Sequence, residues 1–195
     1  YNNYFGIYLA KAQYCQIINN EVISKGDGSN DSRSKTLGQD LMGESESFSG
    51  NALHLWNASH ITAKNNRLEG HRDGIYLEFV KDALIANNIS QNNLRYGLHF
   101  MFSEDIDFEQ NSFHHNGAGV AVMFSKHITM HENEFSENQG SSAYGLLLKE
   151  VSDSLIDANI FAQNTIGLYA DGGNRLDVTN NTFTRNGYAL RIYSS

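Results

Sequence analysis

The stretches "YGLHFMFS" at Tyr96–Ser103 and "AGVAVMFS" at Ala118–Ser125 are one phrase written twice: a glycine, an alternation of apolar residues, then Met-Phe-Ser in the same register. Working outward, a Gly or Ala opens the phrase at Gly6, Ala52, Gly74, Gly97, Gly119, Gly145, Gly167 and Ala189. After Ala52 the steps are 22, 23, 22, 26, 22 and 22 residues. One position after the opener is always aliphatic (Ile7, Leu53, Ile75, Leu98, Val120, Leu146, Leu168, Leu190). Three positions after it the chain is again apolar, from Leu9 through Phe100 and Val122 to Ile192. Fourteen positions after each of the first seven openers stands an asparagine: Asn20, Asn66, Asn88, Asn111, Asn133, Asn159 and Asn181. A second asparagine recurs at Asn93, Asn116, Asn138, Asn164 and Asn186, and a phenylalanine at Phe113, Phe135, Phe161 and Phe183.

Period-two alternation marks half-buried strands, not helices. A repeat near 22 residues, with three short apolar strokes and Asn or Gly at the corners, is one turn of a parallel β-solenoid. The sequence therefore predicts an all-β, right-handed parallel β-helix of about seven coils at ~22 residues per coil. Asparagine suits the corners because it tolerates left-handed backbone, and its amide can bond the asparagine one coil above. A single coil cannot stand alone. Ordering its residues costs ~1–2 kcal/mol each, whereas each inward apolar side chain returns only ~1.5–3 kcal/mol.

The chain has 195 residues, 14 basic against 22 acidic side chains, net charge −8, no proline and one cysteine, Cys15. The absence of a dense Lys/Arg tract disfavours nucleic-acid binding, and no apolar run approaches the ~20 residues of a membrane span. Cys15 permits no internal disulfide. Residues 1–195 read as a single β-helix domain, expected to be a piece of a longer chain because its first residues already lie inside a repeat. A polar, Gly/Ser-rich insertion over 26–50 reads as a surface loop. Its Asp27, Ser29 and Asp31 echo a calcium loop, but Gly38 stands where the closing glutamate belongs.

Two and four positions after each opener, side chains point outward. The first column reads Tyr8, His54, Tyr76, His99, Ala121; the second reads Trp56, Glu78, Met101, Met123, Lys149. Met101 and Met123 are thus expected ~4.8 Å apart, with His99 ~6.6 Å along its strand on the same face. Thioethers beside imidazole suit cuprous ion, a soft cation of low coordination number. The candidate metal residues are His99, Met101, Met123 and His54. The competing reading is an apolar patch, Trp56, Phe79, Met101, Phe102, Met123 and Phe124, covered by the loop or by a partner. "HRDG" at His71–Gly74 breaks the asparagine pattern: it offers either an exposed corner ion pair or an Arg/His/Asp set for proton abstraction from an acidic sugar. His114, His115 and His131 read as solvent-facing, without a carboxylate at obvious spacing.

Four strings, "GHRDGIYLEFV" at Gly70–Val80, "YGLHFMFS", "AGVAVMFS" and "YGLLLKE" at Tyr144–Glu150, make the chain resemble the NosD family. These are periplasmic β-helix proteins of nitrous oxide reductase maturation, and the resemblance runs from about Gly6 to Ile192. It implies a periplasmic, non-catalytic role in copper (Cu+) delivery alongside an ABC-type transporter. The implied partners are the transporter's ATPase and permease subunits, a membrane copper chaperone and nitrous oxide reductase. The chain has no G-x-x-x-x-G-K-[ST], so nucleotide hydrolysis would belong to a partner. The alternatives are a polysaccharide lyase or epimerase, or a carbohydrate-binding module.

Overall fold

A computed structural model describes residues 4–24, 50–140 and 143–193. The insertion predicted over 26–50, with its calcium-like residues, lies outside them apart from Gly50. Every described element is a strand. The strands form three parallel sheets of eight, seven and seven strands, in each of which every strand pairs with its counterpart one coil away. This is the predicted right-handed parallel β-helix. Among the described residues no helix is long and apolar enough to cross a membrane.

The register confirms that equal phase in the sequence means vertical superposition. Leu98 pairs with Val120, Phe100 with Val122 and Met101 with Met123. The inward positions form one continuous core that includes Leu53, Ile75, Leu98, Val120, Leu146 and Leu168. Phe113, Phe135, Phe161 and Phe183 stack with centroids 5.6, 4.8 and 4.8 Å apart, which fills the third corner with ring-on-ring contact. Met130 is core, at 1% exposure, and Cys15 packs against the core from its edge.

The asparagines are a buried amide ladder. Asn88 Nδ2 donates to Asn111 Oδ1 at 3.0 Å and to the Ala63 carbonyl at 2.9 Å, and the pattern repeats at Asn111, Asn133 and Asn159. The left-handed residue, however, is the one before each ladder asparagine: Asn19, Asn65, Asn87, Gln110, Glu132, Ala158 and Asn180, with φ between 53° and 60°. The ladder position is selected for its amide, which satisfies main-chain groups at a corner closed to water.

The glycine openers have a related cause. A Cβ on Gly119 would stand 2.3 Å from the Gly145 carbonyl oxygen and 2.9 Å from Asn138 Nδ2. Only glycine lets the first sheet run this close to the second amide ladder.

Candidate functional site

The outward face of the first sheet carries the unusual chemistry. Its strands Leu53–Trp56, Asp73–Glu78, Tyr96–Met101 and Ala118–Met123 lie side by side. One outward column reads His54, Tyr76, His99, Ala121 and the next reads Trp56, Glu78, Met101, Met123, Lys149, all in register.

Met101 and Met123 are cross-strand partners, both half-buried. His99 shares their face and is 8% exposed, with the rings of Tyr96 and Tyr76 packed against it at 4.8 and 5.3 Å. Above His99, Ala121 places only a methyl group in a column otherwise filled by large side chains. Both His99 ring nitrogens are buried with no hydrogen-bond partner among the described residues. Burial, and then the guanidiniums of Arg95 and Arg72, hold its imidazole down to about 4. At neutral pH the ring is therefore uncharged and keeps an unshared electron pair on one nitrogen, the form that ligates metal.

His54 stands apart from this group. The Tyr76 ring lies between the two imidazoles, 4.7 Å from His54 and 5.3 Å from His99. His54 Nδ1 is bonded to the Asn51 amide at 3.1 Å, and burial followed by the Arg72 charge brings it, too, to about 4. The geometry groups His99, Met101 and Met123, and leaves His54 beyond a tyrosine. Among the described residues no three His, Cys, Asp or Glu side chains converge as a metal site, so a ligand set on this face has to draw on the thioethers.

The corner at His71–Gly74 differs from the exposed ion pair the sequence offered. His71 is buried and takes an asparagine's place in the second ladder: its N–H donates to Asn93 Oδ1 and its Nδ1 meets the Glu69 carbonyl at 2.9 Å. Asp73 is fully buried. Its Oδ1 accepts the Tyr96 N–H at 3.3 Å, whereas Oδ2 lies 3.5 Å from Arg72 Nε without a proper hydrogen bond. Burial raises the Asp73 carboxyl above its ordinary value, and Arg95 and Arg72 oppose that rise. No sequence signal distinguished this buried carboxylate from a solvated one. Its burial comes from neighbouring coils, and a single repeat cannot reveal that.

At the corner after the first sheet, Phe79, Phe102 and Phe124 sit at φ of 55°, 51° and 52°. They are 50%, 47% and 46% exposed and stack at 5.4 and 5.3 Å. They border an open groove of about 590 Å³ whose other side carries Lys81, Glu104 and Lys126. Glu104 bridges both lysines, and their hydrogen bonds hold its carboxyl down to about 2.

The surface histidines have carboxylates that the sequence reading missed. His115 Nε2 lies 2.5 Å from Glu137, and His131 Nδ1 lies 3.2 Å from Asp157. Each pair lies on adjacent coils, a juxtaposition fixed by stacking. All four side chains are solvent-accessible, which keeps these pairs weak.

The sequence matches the family described as "Periplasmic copper-binding protein (NosD)" over residues 1–97 and 32–195. No curated protein matches. Solved structures of similar shape include the A-modules of two Azotobacter vinelandii mannuronan C-5 epimerases. AlgE4 aligns with TM-score 0.62 at 16% identity, covering 74% of this chain and 48% of that one. AlgE6 aligns with TM-score 0.63 at 15% identity, covering 73% and 40%. This chain thus spans less than half of either module, and at such identity the likeness shows the fold alone.

Proposed function

Because the chain belongs to the NosD family of periplasmic copper-binding proteins, we propose that the first-sheet face holds cuprous copper in transit. Met101, Met123 and His99 are the ligands, and the ion is cargo passed on by ligand exchange. The observation that carries this reading is His99: a buried, neutral imidazole whose two nitrogens have no partner among the described residues, beside two thioethers in register. An unpaired buried polar group is costly in a finished core, and a bound soft cation removes that cost. Two thioethers and one imidazole leave a coordination position for an incoming ligand, as transfer requires.

The site works in the periplasm with an ABC-type transporter's ATPase and permease subunits, a membrane copper chaperone and nitrous oxide reductase as partners. Family membership supports the periplasmic copper role; the partners are those that the sequence resemblance implies. The exposed Phe79–Phe102–Phe124 ridge beside the methionines is the surface on which such a partner would approach.

The test is anaerobic titration with Cu+ against a competing chelator. Wild type should compete, and Met101→Ala/Met123→Ala/His99→Ala should not; equal affinity in the triple variant would remove the site. A second reading, epimerisation or lysis of an acidic polysaccharide, draws on His71, Arg72 and Asp73 at one corner, with Glu78 at the far end of the strand that Asp73 begins. It requires turnover of alginate or pectin that depends on Arg72, and such turnover would displace the copper reading.

A further inference from the structure

Two opposite charges bracket the methionine pair. Along the outward column the order is Trp56, Glu78, Met101, Met123, Lys149, each in register with the next. Neighbouring parallel strands lie ~4.8 Å apart, so Glu78 is the rung neighbour of Met101 and Lys149 that of Met123. Glu78 is half-buried and Lys149 exposed. Among the described residues neither is ion-paired, whereas Lys81 and Lys126, across the phenylalanine ridge, are both held by Glu104. Arg72, Asp73 and Arg95 stand at the other end of these strands. At ~3.3 Å per residue they are about 16–20 Å from Glu78 and Met101, beyond the Debye length at physiological salt. The charges nearest the thioethers in the column are therefore Glu78 on one side and Lys149 on the other.

We propose that Glu78 is the counter-charge of the bound cuprous ion, and that Lys149 closes the opposite end of the column to cations. The inference rests on the copper reading above and supplies what its ligand set lacks. Two thioethers and a ligating imidazole carry no charge, so none of the three balances the ion. A cation taken partly out of water needs a compensating charge close by. Glu78 meets that need one rung from Met101, on the strand that also carries His99 as its next neighbour. A carboxylate oxygen is a hard donor, so Glu78 serves a soft ion by its charge and not as a preferred ligand. Lys149 can neither ligate nor attract a cation, which leaves the Glu78 side as the favourable approach. Both are specificity residues for the site, one attracting and one repelling.

The experiment titrates the whole chain calorimetrically with Ag+, a soft monovalent ion without redox chemistry, in nitrate salts at low and high ionic strength. Every protein carries Cys15→Ala, so that the lone thiol does not compete. Glu78→Gln should weaken binding by about three- to tenfold at low salt, and high salt should shrink the difference. Glu78→Asp, which keeps the charge, should stay within about twofold of wild type. Lys149→Gln should tighten binding, by less, because Met123 separates it from the strand of His99. Glu109→Gln removes the same charge from the second sheet and should change nothing. Wild-type affinity in Glu78→Gln, an equal loss in Glu109→Gln, or a loss that salt does not diminish overturns the counter-charge, provided that Met101→Ala/Met123→Ala/His99→Ala still abolishes binding. Equal binding by that triple variant overturns the copper site itself.

Discussion

Replacing Asn111 by Ala removes one rung of the buried amide ladder near its middle. The side chain is 1% exposed. Its Nδ2 donates to the Ile85 carbonyl at 2.8 Å and to Asn133 Oδ1 at 3.0 Å. Its Oδ1 accepts from the Asn88 N–H at 2.9 Å and from Asn88 Nδ2 at 3.0 Å. The Asn111 main-chain N–H keeps its bond to Asn133 Oδ1, and Asn88 Nδ2 keeps the Ala63 carbonyl. The groups stranded are therefore the Asn88 N–H and the Ile85 carbonyl oxygen. Each unsatisfied buried group costs ~1–3 kcal/mol, so the loss is about 2–6 kcal/mol. For a chain of this size that corresponds to a fall in Tm of roughly 5–20 °C. Calorimetry measures the fall, and hydrogen exchange at the Asn88 amide locates it, which matters because a stacked array need not unfold in one step. The exposed Asp107→Ala is the control and should stay within ~0.5 kcal/mol of wild type. A Tm within ~2 °C of wild type, with Asn88 protection unchanged, would refute the view that the ladder is a stabilising element.

Three further outcomes are expected. Stability should fall as pH drops from about 6.5 towards about 4. His54 and His99 stay neutral in the fold down to about 4 while the unfolded chain takes up protons from 6.5; urea midpoints across that range should show a slope that His99→Gln reduces. Phe135→Ala, in the buried stack, should cost ~3–5 kcal/mol. Phe102→Asn, at an exposed left-handed position, should cost far less because asparagine relieves the backbone cost and offsets the two exposed stacking contacts that are lost; equal effects by chemical denaturation would contradict the two environments. Gly119→Ala should be destabilised by at least ~1–3 kcal/mol, because its Cβ would meet the main-chain oxygen of Gly145 rather than a yielding side chain; a thermal melt like wild type would show that the coils can move apart.

The repeat made the fold legible. Alternation gave the inward and outward residues, and constant phase gave the partners, so Met101 beside Met123 and the asparagine columns could be written down from spacing alone. The outward placement of Phe79, Phe102 and Phe124 was also readable, but not that they adopt left-handed backbone, since the corner dihedral is set by the turn and not by side-chain type.

Within the site, the sequence by itself determined which side chains share a face, because a strand's two-residue period and a solenoid's vertical stacking are properties of the repeat. Only the tertiary structure decided their chemical state. It buried Asp73 beside Arg72 and left the His99 ring nitrogens without a hydrogen-bond partner among the described residues. Desolvation and the fields of neighbouring charges depend on everything packed around a group. They come from coils far apart along the chain, and a single phrase of the repeat does not contain them.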